Sequence, residues 1–150
     1  MAVLITGCAG FLFAVLWIDL MFDTQIRRRS RAPEDTALAS ITGYYRRATT
    51  ESQPMGALIA AAMVVLIAAL AVEAARGGDP GWLVGVSAVL AGGPILLALS
   101  RTVPNAVRLG RGTGSQAERT RLARAVLRDH VLCAVGMAVF LAIRVLRSLN

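Results

Sequence analysis

Met55–Val72 reads MGALIAAAMVVLIAALAV, 18 consecutive residues with no charged or hydrogen-bonding side chain. An α-helix rises 1.5 Å per residue, so a run of about 17 to 20 apolar residues crosses a hydrocarbon core roughly 30 Å thick. On either side of it Ala2–Ile18 and Gly81–Leu99 meet the same length test, while Val131–Ile143 has only 13 uninterrupted residues. To span, that last run must draw in Ala125-Val126-Leu127 with Arg128, Asp129 and His130, or Arg144 and its neighbours. The reading is an all-α, polytopic membrane protein: a four-helix transmembrane bundle with spanning helices over about 2–23, 54–76, 81–101 and 125–147.

Composition agrees. With 56% hydrophobic and 17% charged residues and a mean hydropathy of +0.62, the 150-residue chain is too apolar for an ordinary soluble domain. The basic excess, 16 against 9, is carried entirely by arginine and falls between the apolar runs. Arg27, Arg28, Arg29, Arg31, Arg46 and Arg47 occupy the first long connection, and seven arginines lie from Arg101 to Arg128. Only Arg76, Arg144 and Arg147 remain for the other side. The positive-inside rule then puts both termini outside and both long loops in the cytoplasm. These charges read as topology determinants, with the lipid bilayer as partner, no nucleic-acid role, and a homo-oligomer left open. The absence of lysine suits a GC-rich bacterial genome, hence a bacterial cytoplasmic membrane. A cleaved signal peptide would need a positive leading segment, which Met1-Ala2-Val3-Leu4 lacks.

Pro33, Glu34 and Asp35 make a helix start, and Leu38, Ile41 and Tyr45 recur at helical spacing, which predicts a cytoplasmic-side amphipathic helix over about 33–48. Its expected place is on the inner leaflet, with Tyr44 and Tyr45 at headgroup depth. Gly92-Gly93-Pro94 predicts a kink in the third span, and Arg101 ends it. Ser115 and Glu118 have capping-box spacing, so the last helix begins near Gln116 and runs unbroken for about 30 residues. Gly110, Gly112 and Gly114 lack the strand before and lysine after that a phosphate loop requires.

Asp19, Asp23, Arg101, Asp129 and His130 fall at the ends of apolar runs and, on this topology, at one face of the membrane. Ionisable groups there are costly and ask for a reason. Asp19 and Asp23 are four apart and share a helix face. His130 aligns with Ala134, Ala138 and Ala142, a small-residue stripe that lets helices approach, so it points into the bundle. Asp129 is about 100° away round the helix, so the two need not face the same partner. Arg101 is the counter-ion available to Asp19, Asp23 or Asp129. The candidate catalytic residues are therefore His130, Asp19 and Asp23, and the candidate ligand-binding residues are Arg101, Asn105, Asp129 and Glu51. The spacing matches no metal-ligand pattern. One histidine excludes bis-His haem within the chain, and no Cys-x-x-Cys occurs, so no cofactor is named. Cys8 and Cys133 differ in depth by about 10 Å, beyond disulfide reach. Arg144 and Arg147 are expected to snorkel outward.

The string Arg101-Thr102-Val103-Pro104-Asn105-Ala106-Val107-Arg108-Leu109-Gly110, followed by a long helix carrying Arg128-Asp129-His130 near its membrane end, resembles the anthrone-oxygenase-like family of four-helix bacterial membrane proteins. The resemblance implies the four-helix plan, a polar site between helices with Asn105 and His130 as the matched positions, and oxygenase chemistry without metal or flavin.

Three functions follow. A site that binds or transforms a small amphiphilic ligand predicts an inter-helix pocket reaching the cytoplasm. An oligomeric channel or transporter predicts polar residues across the bilayer, where Thr6, Ser87 and the Gly92-Gly93-Pro94 kink are the few available. An accessory or assembly protein predicts a closed, fully paired charge layer.

Overall fold

In the computed structural model the described residues, 1–26, 34–51 and 53–148, are helical throughout apart from short connections, with no strand. Pro33, Ser52, Arg27, Arg28, Arg29 and Arg31 lie outside them. Seven α-helices follow in order: α1 Ala2–Asp23, α2 Glu34–Arg46, α3 Gln53–Arg76, α4 Gly81–Ser87, α5 Gly93–Leu97, α6 Val103–Gly110 and α7 Gln116–Ser148. Helices α4, α5 and α6 join through two π-helical stretches into one rod, Gly81–Gly110. That rod, Ala2–Ile26, α3 from Pro54 and α7 are four helices long and apolar enough to cross a membrane.

The π-helical stretches have one cause. Arg47–Glu51, Ala88–Gly92 and Ala98–Thr102 each lie just ahead of a proline: Pro54, Pro94 and Pro104. A proline inside a helix offers no N–H and its ring crowds the carbonyl four residues back. Widening the preceding turn relieves that crowding without ending the helix. Hence the third span does not stop at Arg101; it continues through Pro104 to Gly110. The Gly92-Gly93-Pro94 segment accordingly sits at a π-to-α junction. Gly136 of α7 lies against it, so close that a β-carbon there would stand 3.1 Å from Pro94 Cγ. Gly77, at φ +62°, makes the tight turn between α3 and α4 that a side chain would strain.

Two cores result. The larger joins Ile5, Ala9 and Leu12 of α1, Leu66 and Ala69 of α3, Ala91 and Ile95 of the third span, and Met137 and Phe140 of α7. The smaller joins Leu38, Ile41 and Tyr45 of α2 to Ala106 and Leu109 of α6 and Ala123 and Val126 of α7. The apolar face of α2 is thus spent on protein, and the inner-leaflet expectation for it fails. Gly110 makes that docking possible: a β-carbon on it would stand 2.8 Å from Arg46 N and 2.9 Å from the Tyr45 carbonyl carbon. Alpha7 begins where its capping box predicts, with the Glu118 amide donating to Ser115 Oγ at 3.3 Å.

Candidate functional site

Five side chains from three helices meet at the end of the bundle that carries α2. Because Asp19 and Asp23 sit one turn apart on α1, their carboxylates face the same neighbours. Tyr44 and Tyr45 are consecutive on α2 and diverge by about 100°, so each reaches a different carboxylate. The Tyr44 hydroxyl donates to Asp19 Oδ1 at 2.6 Å, and the Tyr45 hydroxyl donates to Asp23 Oδ1 at 2.6 Å. His130 of α7 completes the group, with Nδ1 2.7 Å from Asp23 Oδ2. Asp23 and Tyr45 are buried, and His130 is 7% exposed. Phe22 stacks on Tyr44 with ring centroids 4.1 Å apart, holding that ring in place.

Proton directions follow from this network. An ionised Asp23 only accepts, and it already takes the Tyr45 proton, so the 2.7 Å contact requires Nδ1–H as donor. Tyr45 is 3.4 Å from Nδ1 and spends its proton on the shorter contact to Asp23. Nε2 then carries the histidine's remaining valence. It lies 3.8 Å from Asp19 Oδ2, beyond hydrogen-bonding distance, so the two polar atoms stand side by side without a direct hydrogen bond. Burial first and the adjacent aspartates second push the Tyr44 and Tyr45 phenols above their usual range. Both stay protonated and act as donors.

That end opens on a cavity of about 320 Å³. Its polar edge is formed by Asp19, Tyr45 and His130, while the walls come from apolar residues of α1, α3, the third span and α7, including Leu12, Met63, Ile95 and Met137. Two rims are exposed: Gly56 and Ala60 on α3, and Leu99 and Val103 on the third span. Helix α3 packs on α1 and meets the third span mainly around Ala88–Gly92, so the cavity lies open between α3 and the third span. Cys133 also lines it, and both cysteines are free.

The other sequence candidates go elsewhere. Arg101 Nε lies 3.3 Å from Asp129 Oδ2 and Arg128 Nε 3.5 Å from Oδ1, so the cations pair with the buried Asp129 and leave Asp19 and Asp23 to His130. The 100° between Asp129 and His130 separates the two networks. Asn105 is half-buried and does not line the cavity, because the continuous helix through Pro104 carries it past the site. Glu51 is exposed and pairs with Arg46 at 3.5 Å. The small-residue stripe ends early: Ala134 is buried, but Ala142 is exposed, and Cys133, Met137 and Phe140 fill the inner face.

A second charge group occupies the opposite end, about 21 Å away along α7. Arg144 holds Glu73 with two parallel 2.8 Å hydrogen bonds, and Arg147 pairs with Asp79 at 3.0 Å. Arg144 is therefore locked inward, its side chain 8% exposed, where snorkelling was expected. A smaller cavity of about 230 Å³ adjoins Glu73, Asp79 and Ser87, but its carboxylates are already taken by guanidinium groups.

Sequence reasoning missed Tyr44 and Tyr45 as site residues. The signal was present: two carboxylates one turn apart need donors, and the chain has only two tyrosines, adjacent on an amphipathic helix. Among the described residues no three His, Cys, Asp or Glu side chains converge as a metal site. Comparison with protein families, with curated proteins and with solved structures gives no match.

Proposed function

We propose that the chain spans a bacterial cytoplasmic membrane, termini outside, and uses its inter-helix cavity to bind a small amphiphilic ligand and transfer a proton at its polar group. One observation carries this reading: a largely apolar cavity ends at a histidine whose Nδ1 is anchored by a buried carboxylate and whose Nε2 is left for a ligand. Asp23 fixes the tautomer and the ring, and Tyr45 fixes Asp23. His130 Nε2 then serves as base or acid, within reach of Asp19 across the 3.8 Å gap. In a bilayer the rims Gly56, Ala60, Leu99 and Val103 would face acyl chains, which suits a ligand drawn from the lipid phase. The arginines of both long loops would face the cytoplasm at this same end.

The apolar core between the two charged ends weighs against a conducting path within one chain. An accessory role gains support from the opposite end, where the acids and arginines pair off. For the resemblance drawn above, His130 lies at the cavity and Asn105 does not, so the proposal rests on geometry.

Alkylation of Cys133 tests it in membranes. In a Cys8→Ser background, N-ethylmaleimide should label Cys133 at least tenfold faster than when Ala60→Trp plugs the rim. Labelling that is absent, or indifferent to the plug, would remove the open cavity from the proposal. A periplasm-active reporter fused after Asn150 checks the orientation.

A further inference from the structure

The charge count around the cavity selects among ligands. Two carboxylates, Asp19 and Asp23, face one imidazole. The other groups about them are the neutral phenols of Tyr44 and Tyr45, and the cavity walls contributed by α3 and the third span hold Thr102 as their polar side chain. The neighbouring arginines Arg101 and Arg128 are engaged with Asp129, whose own charge sits on a different face of α7. Even a protonated His130 is one cation shared by two carboxylates, 2.7 Å from Asp23 and 3.8 Å from Asp19, so Asp19 holds the more distant half of that pairing. Its hydrogen bond from Tyr44 spreads the negative charge without cancelling it. A carboxylate so placed beside apolar walls either takes up a proton or gains from a positive charge that joins it, and an ammonium ligand supplies that charge.

We propose that the ligand's polar group is a cation: the cavity takes an organic ammonium with a compact apolar body, its charge against Asp19 and its body among Leu12, Met63, Ile95 and Met137. This deepens the ligand-binding reading above and rests on it. An anionic amphiphile would meet a net negative rim, and a neutral one would leave Asp19 uncompensated. The aromatic ring of Tyr45 at the same edge adds a face that attracts ammonium groups. A ligand delivering its charge to Asp19 leaves the Asp23–His130 pair free to exchange a proton with it.

His130 is the chain's one histidine, so a protein labelled with ¹³C and ¹⁵N in histidine gives a single set of ring signals. The test places this full chain in lipid nanodiscs and titrates benzyltrimethylammonium, its neutral carbon isostere neopentylbenzene, and the anion phenylmethanesulfonate. The expected result is a saturable shift of the His130 ring signals with the cation, at least tenfold weaker binding of the isostere, and no shift with the anion. Asp19→Asn should abolish the preference, and the wild-type comparison of cation with isostere decides the matter even if that variant does not fold. Equal or tighter binding of the neutral or anionic probe overturns the cation assignment while keeping the cavity as a site. No saturable shift with any of the three overturns both.

Discussion

The bundle carries a charged group at each end, and the two are built on opposite plans. At the α3–α4 turn, two carboxylates meet two arginines: Glu73 and Asp79 against Arg144 and Arg147. Beneath α2, two carboxylates meet one histidine and two phenols. Guanidinium groups pair with carboxylates in a fixed fork and keep their charge at any accessible pH, so the first group is a permanent clasp between α3, the hairpin turn and α7. An imidazole can gain and lose a proton, so the second can change state.

The largest expected effect breaks the clasp. Arg144→Met leaves the part-buried Glu73 without its bidentate partner, a loss just below the about 3 to 5 kcal/mol that breaking a fully buried pair costs. Unfolding in micelles should show that loss, and Glu73→Met added to Arg144→Met should recover most of it. The His130 ring signals, about 21 Å away, should not move. If they do, the two ends are coupled and the contrast between them is wrong.

Next is the docking of α2. Gly110→Ala drives a methyl into the α2 backbone at Arg46 and Tyr45, and overpacking of this kind costs about 1 to 3 kcal/mol. More telling is where the strain is released. Displacing Tyr45 removes its proton from Asp23, so the substitution should perturb the His130 ring, although residue 110 touches neither. Arg144→Met disturbs stability alone; Gly110→Ala should disturb both.

Smaller again is Tyr45→Phe, which deletes one hydroxyl with a contact to a carboxylate. A hydrogen bond to a charged group is worth about 1.5 to 3 kcal/mol at most, and relaxation of Asp23 toward His130 should return part of it. Tyr44→Phe, at a half-buried ring, should cost less than Tyr45→Phe under the same unfolding assay. The reverse order would mean that Asp19, not Asp23, is the anchored carboxylate.

How much of this was legible in the chain depends on whether the signal was local. The four long apolar helices, the unbroken α7 and the inward aim of His130 follow from runs and periodicity, which involve no partner. The convergence of Asp19, Asp23 and His130 followed from topology, since all three sit at matching helix ends. Ending the third span at Arg101 fails because a π-helical turn absorbs Pro104 and the helix runs on to Gly110, with Asn105 half-buried and off the cavity. Alpha2 misled for a related reason: an amphipathic face states that something apolar covers it but not whether that is lipid or protein. Only Gly110, a residue with no local duty inside α6, hinted at a backbone passing close by. Glu73 and Asp79 were overlooked because Arg144 and Arg147 had an easy alternative in snorkelling.

The smallest expected effect is a signal that stays flat. Tyr44 and Tyr45, the chain's only tyrosines, both have phenols held neutral by burial and by the neighbouring carboxylates. In the unfolded chain a phenol ionises near pH 10. The folded protein therefore binds more protons than the unfolded one above that pH, and stability must fall there, by about 1.4 kcal/mol per pH unit for the buried Tyr45 once the unfolded phenol is ionised. Below about pH 10 the two states bind the same number of tyrosine protons and this contribution vanishes. Absorbance at 295 nm should hence show no tyrosinate up to pH 11 while the protein is folded, then rise together with loss of helical circular dichroism. A rise that precedes unfolding, with half the full amplitude, would show one phenol ionising in place. That would loosen Tyr44 from Asp19 and leave the Asp23 anchor standing, and the titratable end would then divide into a fixed half and a yielding half.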